Sequence, residues 1–324
     1  MECLILMKTS LVILLIICMG VIYPVFAEKE NTGKISASEV VIPAYDEDGR
    51  IAWELRASEV TSVGEDRYLA QDPVLEILSP DQTSNLAESD QGVFNLAERK
   101  AEGESRMTLT GSGFEAEGEG WSFEEKDRTK NHRFIFEENT RIAFEHPFSE
   151  LLAGLPPASP IPLLPPTQSS KKKKQENTNP FPSIAYAERF EVISLQDGGH
   201  QFLLEGNVSV TTEDASISCE SAEILLSKRP DGPGEVSDIH ATGSVNLKQL
   251  GRECWADQLM WDANDSKVSL LGNARVMDNE WGEATGEKIL LEKGKGRAQV
   301  IGGKQGRSKL SLPNLPAFSF PPKK

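Results

Sequence analysis

Cysteine and histidine are scarce in this chain, with four of each among 324 residues. His132, His146, His200 and His240 stand far apart and lack metal-ligand spacing, so the sequence offers no zinc site and no Cys–His nucleophile. Basic excess is missing as well. Against 50 Asp and Glu there are 34 Lys and Arg, a net charge of −16. That balance excludes nucleic acid as a partner, and any ligand gripped mainly by its phosphates. A GxSxG elbow, an HExxH pair and a phosphate-cradling loop are absent too. The glycine-rich run GSGFEAEGEG (Gly111–Gly120) has the wrong spacing, and no strand–turn–helix unit follows it. Carboxylates are so abundant that no acid/base pair stands out. The expectation is a protein that is not an enzyme and uses no metal or cofactor.

Long apolar runs are confined to the N-terminus. Lys8 precedes the run Leu11–Ile22, and Val25-Phe26-Ala27 fits the small-x-small rule before Glu28. The favoured reading is a secretory signal over 1–27, cleaved after Ala27, which places the mature protein in the periplasm. Inner-membrane anchoring by residues 8–26 is the alternative. Against it, Pro24 interrupts a run already shorter than the ~20 residues a spanning helix needs. Cys3 and Cys18 belong to this leader, so Cys219 and Cys254 remain. In an exported protein they form either one disulfide or two buried free thiols.

Helical periodicity is the next absence. A short helix around Leu86–Ala101 is the candidate outside the leader. Two-residue alternation dominates instead, as in Phe94/Leu96, Met107/Leu109, Trp121/Phe123, Phe134/Phe136 and Ile142/Phe144, which is the period of strands. In the second half the alternation repeats on a larger scale. LEGNVSVTTEDASISCESAEILL is followed by ATGSVNLKQLGRECWADQLMWD and LLGNARVMDNEWGEATGEKILLE. Gly206, Gly243 and Gly272 open the copies, with Gly302 starting a fourth, and Glu220, Asp257 and Glu287 follow at 14, 14 and 15 residues. Two landmarks stepping together mark stacked repeats. The first step is longer because the turn KRPDGPGE (Lys228–Glu235) is inserted there. Each copy reads as a pair of short antiparallel strands with one apolar face, which must stack on its neighbours to bury that face. The glycines suit a bulge or close backbone approach. The acids suit a solvated or capping role, and they share strand parity with apolar neighbours.

Eight of the nineteen prolines and the run Lys171–Lys174 fall within residues 155–182. That composition neither joins a ladder nor packs a core, and reads as an extended linker. The expected layout is therefore a leader (1–27), a β-domain (28–150), a Pro/Lys-rich linker (151–183), a second β-domain (184–305) and a tail (306–324).

The copies GNVSV…CESAEI, GSVNL…WADQLMWD and GNARV…TGEKILLE resemble the OstA/LptA-like domain of lipopolysaccharide transport. The first half, with its turn Asp46-Glu-Asp-Gly49 and the strand Ile51-Ala-Trp53-Glu-Leu55-Arg-Ala57, is similar to the LptC-like domain. The resemblance implies an all-β fold of two slotted β-jellyrolls, built from stacked antiparallel strand pairs around an apolar trough. It implies lipopolysaccharide or another acylated glycolipid as ligand, and other OstA-like domains as partners through edge-strand pairing. The residues on the apolar parity are then the trough candidates: Val208, Val210, Ile224, Val245, Leu247, Leu259, Trp261, Val276, Ile289 and Leu291. A rival reading keeps the repeats as mere scaffold, in a structural or adhesive β-solenoid without lipid transport. That reading predicts repeats running to a capped end around no continuous cavity.

Overall fold

The computed structural model describes residues 36–311 except 47, 79–83, 127–130, 146–182, 196, 213–214, 230–231, 250, 263–264, 266, 280–281, 293–296 and 303–307. The leader, the linker apart from Ser183, and the tail beyond Ser311 lie outside the described residues.

Ten strands precede the 146–182 segment: β1 (Ser36–Tyr45), β2 (Ile51–Gly64), β3 (Arg67–Gln71), β4 (Val74–Leu78), β5 (Ser84–Ser89), β6 (Gln91–Asn95), β7 (Lys100–Gly103), β8 (Met107–Gly111), β9 (Phe114–Lys126) and β10 (Asn131–Phe144). Ten follow it: β11 (Ser183–Ala187), β12 (Arg189–Ser194), β13 (His200–Thr211), β14 (Ala215–Arg229), β15 (Gly232–Gln249), β16 (Arg252–Asp262), β17 (Lys267–Asp278), β18 (Gly282–Glu292), β19 (Arg297–Ile301) and β20 (Lys309–Ser311). All twenty strands of the described residues belong to one hydrogen-bonded sheet. Among the described residues there is no helix. Leu86–Ala101, the helix candidate, folds as β5, β6 and the turn into β7, because β5 finds partners in β4 and β8 and β6 in β3 and β7. Ala87 and Phe94 enter the core from them.

The repeat strands are longer than the sequence pattern suggests, up to the 18 residues of β15. They are long because each crosses between two arms of the sheet. The front of β2 pairs with β4 and its rear with β3, and the two paths rejoin at β9, which pairs with β8 and with β7. In the second half the split is repeated within single strands. Arm one holds residues 208–211 of β13, 215–219 of β14, 245–249 of β15, 252–256 of β16, 274–278 of β17 and 282–286 of β18, ending on β20. Arm two holds the other portions of those strands, ending on β19. Apolar side chains from both arms meet in one buried cluster running from Trp53 to Leu291. This is the all-β, slotted arrangement of antiparallel strand pairs.

The sheet does not stop at the Pro/Lys-rich stretch. β10 pairs with β9 on one side, and with β11 (Thr140↔Ala187 to Phe144↔Ser183) and β12 (Arg133↔Ile193 to Phe136↔Phe190) on the other. At this seam Phe136 stacks on Phe190, with centroids 4.5 Å apart. Beside them the buried Glu191 carboxylate accepts from Arg133 at 2.7 and 2.8 Å and from Arg189 at 2.7 Å.

Candidate functional site

The slot between the arms is opened by a recurring device. Each Gly strand carries a bulge where it passes from one arm to the other, between Glu205 and Val208, Thr242 and Val245, and Leu271 and Ala274. Two successive residues there have left-handed backbone: Gly206 and Asn207, Gly243 and Ser244, Gly272 and Asn273. An L-residue at the first of each pair is costly in that region. Against each glycine lies an acid from a neighbouring segment, Glu188 from the bend between β11 and β12 and the landmark acids Glu220 and Asp257 from the preceding strands. Glu188 accepts from the Asn207 amide, Glu220 from Ser244 Oγ at 3.2 Å, and Asp257 from Asn273 Nδ2 at 3.0 Å. A Cβ on Gly206, Gly243 or Gly272 would meet the same acid at 2.4, 2.6 or 2.3 Å. Glu119 and Asn139 repeat the contact in the first half at 2.9 Å.

Glu220, Asp257 and Glu287 are exposed, in keeping with the solvated or capping role expected of them, but they do not share a face with the apolar residues of their numerical parity. The bulge resets the alternation beside them, so apolar side chains on either side of the acid turn inward while the acid stays in water. Glu188 and Glu119 carry the same role without a recognisable copy of the repeat around them.

Nine of the trough candidates, Val208, Val210, Ile224, Val245, Leu247, Leu259, Val276, Ile289 and Leu291, point between the arms and are at most 6% exposed. They pack on one another in the common cluster, with Trp261 half-buried at its margin. Val276, Ile289 and Leu291 also line a cavity of about 260 Å³ at the C-terminal end of the slot, completed by Ala284, Ala298, Val300 and Leu310. Its walls are apolar. At its rim Arg252 pairs with Asp278 at 2.6 Å. Trp261 instead borders a groove of about 420 Å³ shared with the outward-facing Met260, His240 and Asp265.

The slot is differently built where the two halves meet. There Phe114 contacts Phe202 edge-on at 4.9 Å and His200 at 4.8 Å, and Phe144 contacts Phe202 at 5.2 Å. Asn85 Nδ2 lies 3.0 Å from His200 Nε2 and 3.3 Å from Ser194 Oγ, all buried. Burial lowers the pKa of His200 to about 4, so the ring is neutral at physiological pH and Nε2 can accept from the Asn85 amide. Burial acts likewise on His132, also to about 4, which stacks on Phe123.

Cys219 and Cys254 are free and buried. They lie on β14 and β16 with β15 between them. Two strand spacings amount to roughly 10 Å, beyond the reach of a disulfide, so the bridge considered from the sequence is not formed. Burial pushes the two thiols up to about 11 and 12. Among the described residues no group of three His, Cys, Asp or Glu is placed to hold a metal ion, and no helix is long and apolar enough to cross a membrane.

Residues 191–297 match the family model described as LptA/(LptD N-terminal domain) LPS transport protein. The match is to an LptA-like domain over this segment alone. It coincides with the bulged strands from β12 to β18 and with most of the cavity they enclose. Among solved structures the chain is similar to LptH from Pseudomonas aeruginosa, the LptA homologous periplasmic component of the lipopolysaccharide transport device. Identity is 15% and the TM-score 0.33, over 41% of this chain and 96% of that one. A comparison with curated proteins gives no match.

Proposed function

We propose that this protein is a non-catalytic component of periplasmic lipopolysaccharide transport, which shelters lipid A acyl chains between the arms of its LptA-like domain. One observation carries the reading: the family match over 191–297 falls on the strands whose bulges open an apolar slot, with a cavity still free at its end. Burying hydrocarbon there is favourable by about 0.8 kcal/mol per CH₂. The acidic exterior is tolerable because the grip is on the chains, while the headgroup stays in water.

The first half fits an LptC-like lobe. Asp46 accepts from the backbone amides of Asp48 and Arg50, both at 2.9 Å, closing the turn with Gly49 in left-handed backbone. Trp53, Leu55 and Ala57 then enter the core. We read the β10–β11/β12 seam as the edge-strand pairing expected between OstA-like domains, made here within one chain. The outer ends then remain for partners: β1, which pairs with β2 alone among the described residues, and the short β19 and β20.

A photo-crosslinking residue at Leu247 or Leu259, with Ser209 and Asn246 as outward controls, tests the proposal in the presence of lipopolysaccharide. Adducts at the inward positions alone support it. Equal labelling of both sets, or none on either, leaves the scaffold reading.

A further inference from the structure

The inserted turn that lengthens the first repeat has a partner. A Cβ on Gly113, in the β8–β9 turn, would lie 2.7 Å from the carbonyl oxygen of Gly234, and one on Gly234 would lie 2.8 Å from the carbonyl oxygen of Ser112. The two backbones therefore touch across the mouth of the slot, arm one meeting arm two. Gly113 has φ +90, where only glycine is at ease, and neither site leaves room for a side chain.

Behind this contact the interior is filled. Phe114 and Phe144 come from arm one, and Phe202 and His200 from arm two. All four are at most 5% exposed, with ring centroids 4.8–5.2 Å apart at the contacts that cross the slot. Asn85 ties the β5 side to Ser194 and His200 on the other. Beyond the septum, the first lobe is occupied by Phe94, Trp121, Phe123, Phe134 and His132, all buried, with the Trp121 indole donating to Ser89 Oγ at 3.2 Å. Close-packed rings leave a lipid chain no space without repacking several of them. At the C-terminal end of the slot, by contrast, Val276 and Ala284 of arm one stand across a cavity from Ile289, Leu291 and Val300 of arm two.

We infer that cargo is held only on the C-terminal side of this septum, and that the interior of the first lobe takes no lipid. The inference rests on the acyl-chain reading above and narrows it. The two lobes divide the work: the LptA-like domain carries the lipid and the first lobe serves as a filled docking module. A lipid moving onto this chain therefore enters at the mouth or the C-terminal end of the slot, without passing along the first lobe.

The test replaces leucine throughout the chain by photo-leucine, which keeps the core shape. The protein is irradiated with lipopolysaccharide and, separately, with dodecyl maltoside as a plain single-chain probe, and adducts are mapped by peptide mass spectrometry. The expected result is adducts at Leu291 and Leu310, with Leu55, Leu75 and Leu109 at background. Comparable adducts at Leu75 or Leu109 overturn the inference. Adducts of the maltoside but not of lipopolysaccharide at Leu291 uphold the septum and defeat the lipopolysaccharide reading. No adduct at Leu291 or Leu310 with either probe overturns both.

Discussion

Asp257 on β16 accepts a hydrogen bond at 3.0 Å from Asn273 on β17, and between the two the Cα of Gly272 lies so close that a Cβ would meet the Asp257 carboxylate at 2.3 Å. The glycine and the acid that step together through the sequence are thus two sides of one contact, formed between successive strands. The acid of one copy supports the bend of the next.

Replacement of Gly272 by valine therefore forces a β-branched residue to φ +72 and against Asp257. Strain and overpacking each cost about 1–3 kcal/mol, so a loss of roughly 2–6 kcal/mol is expected in urea unfolding. Asp257→Ala leaves the bend in place and removes one exposed hydrogen bond, worth about 0.5–1.5 kcal/mol. Equal losses for the two variants would mean that the carboxylate, rather than the backbone, holds the bulge.

Much of this was legible in the sequence, since alternation, turn residues and the co-stepping landmarks are local signals. Three things were not. The bulge resets the alternation, so parity counted through Glu220 or Asp257 put the acids on one face with apolar neighbours, although their solvated role was legible. Glu188 and Glu119 do the same work as the repeat acids, but short strands or divergent sequence hide the period around them. The seam joins Phe136 to Phe190 across a stretch that composition alone marks as a boundary, because strand pairing at that separation leaves no local trace.

Acid should weaken the fold before any carboxylate pair is lost. His132 and His200 are lowered by burial from 6.5 to about 4. Between those values the unfolded chain binds more protons, so stability is fully present above pH 6.5 and falls as pH drops towards 4, by on the order of 3 kcal/mol per ring. Urea midpoints measured from pH 7.5 to 4.5 check this. His200→Gln, which keeps a side-chain polar group near Asn85, should flatten the slope in that window. An unchanged slope in both His200→Gln and His132→Phe would place the acid sensitivity elsewhere.

Cys219 and Cys254 should be unreactive in the folded protein. Their thiols are buried and raised to about 11 and 12, so little thiolate exists at neutral pH. An aromatic disulfide reagent is expected to titrate neither thiol in native buffer and both in guanidinium, without prior reduction. A mass two hydrogens lighter in protein purified under oxidising conditions would reveal a bridge and require β15 to move.

Cleavage between the halves should nick the chain without separating it. Trypsin has sites at Lys171–Lys174, inside the segment whose flanks, β10 on one side and β11 and β12 on the other, are paired. The two fragments are expected to co-elute in gel filtration and to part in urea. The seam itself sets their affinity. Phe190→Ala removes the ring stacked on Phe136, a change of about 3–5 kcal/mol at a buried site, and should release the nicked halves. Glu191→Ala should be milder, about 1–2 kcal/mol, because Arg133 and Arg189 both reach solvent and can be hydrated. Burial raises the Glu191 pKa, but donation from Arg133 and Arg189 outweighs it and the net direction is down. The carboxylate's contribution is therefore present above the ordinary glutamate range and is lost as pH falls through the lowered value, so the nicked protein should come apart more readily in strong acid. Fragments that separate at neutral pH without any substitution would show that the shared sheet does not hold the lobes together.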